Sequence, residues 1–196
     1  LIGKSSLDIN EYDSIVLCIR NIESIKIPSF IKYIGDCAFS DWKKLCNVEL
    51  SEDSELRTFG YRSFQRTSLI SIKIPPHVLR IEDNTFFNCV SLEEIELSKN
   101  LQIIGNSAFY NCKALKKIVI PKSVEFIGLH AFVCNKSLKE VIILSKLVRI
   151  QYGTFYSCPS LEQAVIPISS QLSNSDFGDN VNVVRIKVDN IKSTYI

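Results

Sequence analysis

The segment Ile104-Gly105-Asn106-Ser107-Ala108-Phe109-Tyr110-Asn111-Cys112-Lys113-Ala114-Leu115 decides the fold, because its pattern returns along most of this 196-residue chain. Its phenylalanine belongs to a series of seven that recurs every 22 to 25 residues, here called the anchor phenylalanines: Phe39, Phe64, Phe86, Phe109, Phe132, Phe155 and Phe177. Repetition at such a period is the signature of a solenoid, in which each unit buries its apolar face only against its neighbours.

Other positions repeat with the anchor. An apolar residue, usually isoleucine, stands five positions earlier, and glycine often follows it. Glycine there predicts a positive φ or a close approach of two backbones, so Glu82 and Gln151 at the same position predict a different or strained turn. A leucine usually stands six positions after the anchor, and the position three after it holds Trp42, Thr67, Cys89, Cys112, Asn135, Cys158 and Asn180.

Each unit then ends in a short stretch typical of a half-buried strand. Apolar residues alternate in Ile118-Val119-Ile120, and a proline often follows, as at Pro121. Stacking the units joins these strands into one parallel sheet, with about 4.8 Å between neighbours. The sequence therefore predicts an α/β repeat with a parallel sheet on the concave face and short turns or 3-10 segments on the convex face.

Composition excludes several classes of protein. With 46% hydrophobic residues the chain can form a sizeable core, and a net charge of +2 from 23 basic and 21 acidic residues argues against a nucleic-acid partner. The longest apolar runs are about five residues, whereas a membrane span needs about 20. Because the chain contains no methionine, we expect it to be part of a longer protein, and we expect any targeting segment or anchor to lie outside it.

The seven cysteines do not predict a metal site or a disulfide framework. Their number is odd, and Cys89, Cys112 and Cys158 occupy one repeat position, which favours buried thiols. His77 and His130 have no recognisable orienting partner, so we expect no enzyme activity and no cofactor. Asn135-Lys136-Ser137 is a formal glycosylation sequon, but its asparagine shares the cysteine position and is expected to be packed.

The stretch from Ile120 to Phe132, Ile-Pro-Lys-Ser-Val-Glu-Phe-Ile-Gly-Leu-His-Ala-Phe, resembles the BspA-like class of leucine-rich repeats. The segment from Ile104 to Leu115 resembles it too, and the resemblance extends over about residues 20–190. It implies a leucine-rich-repeat solenoid. It also implies a surface antigen or adhesin segment, on the cell surface or secreted, that binds host protein or glycan such as extracellular matrix.

The repeat also predicts the organisation of the chain. Residues 1–21 are expected to form a partial or irregular N-terminal repeat, because Ile2-Gly3 begins the pattern in mid-unit. Residues 22–188 are expected to form the solenoid, with about seven repeats of 22–25 residues. Residues 189–196 are expected to be a C-terminal end or a cut repeat.

A ligand surface is predicted on the outward strand positions. Val119, Ile142 and Val165 are expected to lie side by side as an apolar patch. The expected ligand-binding set on the concave face is this patch with its polar border: Glu94, Glu96, Lys117, Val119, Glu140, Ile142, Gln163, Val165, Arg185 and Lys187.

Three alternatives remain open at this stage. The three apolar residues are also what strand preference alone would produce. Unpaired cysteines fit an intracellular, cytoplasmic scaffold for protein–protein interaction better than an exported protein. Open solenoid ends could join copies of the chain to one another by self-association.

Overall fold

The structure is a computed structural model that describes residues 2–3, 14–15, 22–146 and 148–187. The chain runs as a succession of short strands, one long and one short per turn. The strands are β1 Ile2–Gly3, β2 Ser14–Ile15, β3 Ser24–Ile27, β4 Tyr33–Ile34, β5 Asn47–Leu50, β6 Thr58–Phe59, β7 Ser71–Lys73, β8 Arg80–Ile81, β9 Glu94–Glu96, β10 Ile103–Ile104, β11 Lys117–Ile120, β12 Phe126–Ile127, β13 Glu140–Ile143, β14 Arg149–Ile150, β15 Gln163–Pro167 and β16 Asn182–Ile186.

The longer strands β3, β5, β7, β9, β11, β13, β15 and β16, here called the face strands, are the predicted parallel ladder. They pair in register, as Ile118 with Val141 and Val141 with Ala164 show. The prediction of one continuous sheet is wrong, because they form three separate sheets: β3-β5, β7-β9 and β11-β13-β15-β16. Each turn still adds one strand, so the structure is a parallel β-solenoid.

A second sheet was not predicted. The two-residue strands pair in the order β1-β2-β4-β6-β8-β10-β12-β14, and all the pairs are parallel except β1 with β2. These strands contain the apolar residue five positions before each anchor, such as Ile104 and Ile127. That residue therefore turns into the core and holds two neighbouring turns together through backbone hydrogen bonds.

The predicted α/β character is not confirmed, because the described residues contain only one helical element, the 3-10 turn Asn174–Asp176. The side opposite the face strands is built from tight turns instead. Residues two before and two after the anchor have positive φ, for example Ser107 at 52° and Asn111 at 58°. Left-handed residues at both places prevent a helix from propagating around the anchor.

The predicted spine of anchor phenylalanines is confirmed. All seven are buried, and consecutive rings lie 5.0–5.6 Å apart between centroids. The planes of Phe109 and Phe132 differ by only 8°, so the rings stack with an offset. Isoleucine, valine and leucine from both strand sets surround the stack in one continuous core.

The glycine of the motif allows close approach and has no positive φ. A Cβ at Gly105 would lie 2.7 Å from the backbone nitrogen of Asp83 and 2.5 Å from Oδ1 of Asp83 in the preceding turn. Glycine is therefore the only residue that fits there without displacing the backbone.

The cysteine position is structural, as predicted. Cys89 and Cys112 are fully buried, and their thiols donate to the carbonyls of Phe64 and Phe86 at 3.1 and 3.2 Å. Asn135 is equally buried at the same position and donates to the carbonyl of Phe132 at 3.0 Å, so its sequon is packed. The thiols of Cys89 and Cys112 thus link each turn to the one before it, at carbonyls that also accept a backbone N–H within their own turn.

The predicted end segments cannot be compared with the structure in full. Of residues 1–21 only β1 and β2 are described, and residues 189–196 lie outside the described residues. The boundaries 1–21, 22–188 and 189–196 stay predictions.

Candidate binding face

The outward side chains of the face strands form the surface that we call the strand face. Alternation along a strand sends every second residue there, while the residues between enter the core. On β3 to β9 these outward side chains are all exposed and polar: Ser24, Lys26, Asn47, Glu49, Ser71, Lys73, Glu94 and Glu96. We call this half of the strand face the polar half.

Polar side chains on the strand face pair across neighbouring strands. Lys73 Nζ lies 3.3 Å from Glu96 Oε1, and Lys117 Nζ lies 3.0 Å from Glu140 Oε2. Such solvent-exposed pairs each contribute about 0–1 kcal/mol, so they add little to stability. They leave alternating charge on a regular backbone, and that arrangement can select a partner by electrostatic complementarity.

The polar half contains a groove at the interruption between β5 and β7. From Leu50 to Phe59 the chain takes nine residues, where the equivalent path from Ile120 to Ile127 takes seven. The longer loop accompanies the loss of strand pairing there. A groove of about 420 Å³ opens beside it, and its lining includes Leu50, Ser51, Lys73, Ile74, Glu96 and Lys99.

Sequence reasoning missed this groove, although the signal was present. The two extra residues in the segment 51–55 mark an insertion, and in solenoids insertions often map to the binding face.

The predicted apolar patch exists but is not an exposed surface. Val119, Ile142 and Val165 are neighbours in the strand register, as expected. However, Ile142 and Val165 are 0% exposed, and Val119 is half-buried. The prediction of an open contact patch is wrong because these residues form a second small core, in which Leu144 packs with them.

Two of the predicted border residues are misplaced. The sequence pattern set Arg185 beside Gln163 and Lys187 beside Val165, but Asn182 and Val184 occupy those positions in the pairing of β15 with β16. The last strand begins five residues after Phe177, whereas β15 begins eight after Phe155, and this shortening shifts the register by three residues.

The register places Arg185 opposite Ile166, and its guanidinium donates to the carbonyl of Leu172 at 2.7 Å. Lys187 follows the last residue of β16, and both side chains are exposed. Val184 instead continues the apolar column. Of the predicted residues on the strand face, Glu94, Glu96 and Lys117 are exposed, and Val119, Glu140 and Gln163 are half-buried.

The described residues contain no cluster of three or more histidine, cysteine, aspartate or glutamate side chains that could hold a metal ion. Burial raises the pKa of the Cys89 thiol to about 12 and that of Cys158 to about 11, so both stay protonated near neutral pH. Residues 22–146 and 148–187 also provide no apolar helix long enough to cross a bilayer.

Comparison with known proteins identifies the repeat. The family model described as the BspA type leucine rich repeat region matches residues 13–133 and 57–184, in six copies. A search of curated proteins found no match.

Solved structures share the fold. A leucine-rich repeat protein from Bacteroides ovatus is 24% identical over 85% of this chain, with a TM-score of 0.54. The leucine rich repeat protein of T. pallidum, TpLRR, is 22% identical over 90% of the chain and 76% of its own length, with a TM-score of 0.55. The pneumococcal vaccine antigen PcpA is 17% identical over 89% of the chain and 62% of its own length, with a TM-score of 0.50. The chain spans about half of the Bacteroides protein, 54% of its length.

The same repeat is seen in the six matched copies, in the stacked phenylalanines and in the glycine close contacts. The chain belongs to the BspA-type leucine-rich-repeat family.

Proposed function

We propose that the chain binds a macromolecular partner, a protein or a glycan of a host surface or matrix, through the polar half of the strand face. The observation that carries this proposal is the groove beside Lys73 and Glu96, which lies where an inserted loop interrupts the sheet. A solenoid of this size has no need of exposed alternating charge on four successive strands for its own stability.

The chemistry of this surface favours a polar partner of mixed charge. The groove is lined by Lys73 and Lys99 together with Glu52 and Glu96, so neither sign dominates. An adjoining hollow is lined by Lys26, Glu49 and Lys73. The groove floor is partly apolar, since Leu50 and Ile74 line it. A complementary partner would place an apolar group in the groove and oppositely charged groups on the rim, as protein interfaces do.

The apolar half of the predicted site has a different role in this proposal. Ile142 and Val165 hold the C-terminal face strands together, and only Lys117, Glu140 and Gln163 of that region extend the binding surface. The substitution Ile142→Glu would bury an unpaired charge, so its effect would report on stability and not on binding.

The proposal also covers the location of the protein and its lack of enzyme activity. Similarity to a protein described as a pneumococcal vaccine antigen supports a cell-surface or secreted location and an antigen or adhesin role. We also propose that the chain is not an enzyme and that its activity is the recognition of a partner.

An intracellular scaffold is the second candidate. The six described cysteines are free and form no disulfide with one another, which fits a reducing compartment. Labelling intact cells with an impermeant biotin reagent separates the two locations: a labelled protein supports the surface antigen, and an unlabelled one supports the scaffold.

Charge reversal on the strand face tests the binding proposal. The purified chain is screened against immobilised matrix proteins and glycans, and Glu94→Lys is compared with Glu125→Lys, an equal charge change at an exposed site away from the strand face. We expect Glu94→Lys to weaken binding about fivefold or more and Glu125→Lys to leave it unchanged. Equal effects of the two variants would reject the strand face as the site.

A further inference from the structure

A second concave site lies between the last two described turns, those of Phe155 and Phe177, and contains no residue of the strand face. It is a cleft of about 380 Å³, at the lower end of the usual range of ligand sites, about 300–1,000 Å³. The tilt of the last turn accompanies it. The rings of Phe155 and Phe177 lie 29° from parallel, whereas those of Phe132 and Phe155 differ by 8°.

The backbone ladder between turns ends at this cleft. In the Phe109 turn, three alternate N–H groups donate to the carbonyls of the next turn. Ser107 donates to Leu129 at 2.9 Å, Phe109 to Ala131 at 2.8 Å and Asn111 to Val133 at 2.8 Å. These bonds make the tight-turn side of the solenoid continuous from one turn to the next.

The equivalent N–H groups of the Phe155 turn belong to Gly153, Phe155 and Ser157. None of them donates a hydrogen bond within the described residues, and all three residues line the cleft. Alternate free N–H groups are what the edge of a sheet presents, and they are a template for the carbonyls of an added strand.

Aromatic and acidic side chains complete the lining. Tyr152 is 93% exposed and Tyr156 is 72% exposed, although both line a concave site. Asp176 and Asp179 line it too, and no lysine, arginine or histidine does. The Asp179 carboxylate makes no hydrogen bond or ion pair with the described residues, while Asp176 accepts bonds from Ser173.

We propose that this cleft binds an extended peptide segment of another protein through a lysine or arginine side chain. The three N–H groups donate hydrogen bonds to its backbone carbonyls, the exposed rings of Tyr152 and Tyr156 contact the cation, and Asp179 neutralises it. Charge complementarity selects this occupant, because a chain of net charge +2 here presents two carboxylates and no cation. The proposal is independent of binding at the strand face.

Peptide titration provides the test. The probe is a blocked, β-branched peptide of about seven residues with one central arginine, and matched peptides have glutamate or norleucine at that place. Amide NMR spectra of the chain are recorded during titration. We expect the arginine peptide to bind at least about tenfold more tightly than either control. We expect it to shift the amide signals of Gly153, Phe155 and Ser157 while leaving that of Gly105 in place.

Variants assign the contribution of each group. Asp179→Asn and Tyr152→Ala should each weaken the arginine peptide about fivefold or more. Glu125→Gln removes an equal charge elsewhere, and Tyr61→Ala removes the tyrosine at the equivalent position of another turn, so neither should matter. Thermal unfolding of each variant checks that it folds.

Several results would overturn the proposal. They are equal binding of the arginine and glutamate peptides, no binding of the arginine peptide up to about millimolar concentration, or shifts confined to other turns. Binding of neutral sugars that is lost in Tyr152→Ala, without peptide binding, would assign the cleft to a glycan and likewise reject it.

Discussion

The carboxylate of Asp83 accepts a hydrogen bond at 2.7 Å from the backbone N–H of Asn106 in the following turn. The same oxygen lies 2.5 Å from the point where a Cβ would stand on Gly105. The hydrogen bond and the glycine are therefore linked, because the carboxylate can reach the N–H only if the preceding residue lacks a side chain.

This link accounts for where the motif has glycine and where it does not. An aspartate or asparagine three residues before one anchor is followed by glycine in the next turn, and other residues there are followed by larger ones. The pairs with glycine are Asp36 with Gly60, Asp83 with Gly105 and Asn106 with Gly128, and those without are Tyr61 with Glu82, Leu129 with Gln151 and Tyr152 with Ser173.

Adding a methyl group at Gly128 tests the close contact. A Cβ there would lie 2.6 Å from the backbone nitrogen of Asn106 and 2.7 Å from its Oδ1. Gly128→Ala should lower the free energy of unfolding by about 1–3 kcal/mol in denaturant titrations. Gln151→Ala, at the same position after a turn without the hydrogen bond, should change it by less than about 0.5 kcal/mol. A harmless Gly128→Ala would contradict the steric account.

Installing the pair where it is missing is the complementary test. Tyr61→Asp places an acceptor beside the Cβ of Glu82, and Glu82→Gly removes that Cβ. Each single change should lower the free energy of unfolding. The double variant should lose about 0.5–3 kcal/mol less than the sum of the two single losses. A strictly additive cycle would mean that the glycine pattern has another cause.

The spine of stacked rings should be the most sensitive part of the core. Phe109 has rings on both sides, with centroids 5.3 and 5.2 Å away. Phe109→Ala leaves a cavity that the rigid neighbouring turns cannot close, and it should cost about 3–5 kcal/mol by chemical denaturation. Phe30→Ala, at a half-exposed site, should cost far less. Equal losses would show that the rings are not the principal packing element.

Alkaline pH should weaken the fold through the buried thiols. Burial raises the folded-state pKa of Cys89 to about 12, whereas an unfolded thiol has a pKa of about 8.5. The unfolded state therefore loses its proton first, and stability that is complete below about pH 8.5 falls as pH rises toward 12, by at most about 1.4 kcal/mol per pH unit for one thiol.

The variant Cys89→Thr isolates this contribution. Threonine occupies the same position in the preceding turn at Thr67, where its hydroxyl donates to the carbonyl of Phe64, three residues earlier, so a threonine at position 89 has the equivalent acceptor in the carbonyl of Phe86. We expect the variant to lose less stability than the parent chain between about pH 9 and pH 11. Parallel pH curves for the two chains would show that this thiol does not titrate as described.

The repeat predicts what depends on local pattern. The anchor series, the inward strand residues and the packed cysteine position follow from spacing alone, because each turn repeats the same local contacts. The last register does not follow, because the loop between Phe177 and β16 is three residues shorter than its equivalent, and backbone pairing then decides which residue is opposite Gln163.

The binding surface depends on relations between turns, which spacing describes only in part. The order of Val119, Ile142 and Val165 is predictable from strand alternation, but their burial is not. Leu144, which the pattern aligns with Pro121, packs with Ile142 and Val165, and Val184 and Ile186 of the shifted last strand pack against them. The groove needs the break between β5 and β7, and the C-terminal cleft needs the tilt of the Phe177 turn.

Carboxylate footprinting tests recognition through the polar half of the strand face. The chain is labelled with a carbodiimide and an amine, alone and with the protein or glycan that it binds in the screen, and each site is quantified by mass spectrometry. We expect the labelling of Glu94 and Glu96 to fall severalfold in the complex and the labelling of Glu125 to stay unchanged. A complex in which Glu94 and Glu96 react as they do in the free chain would contradict it.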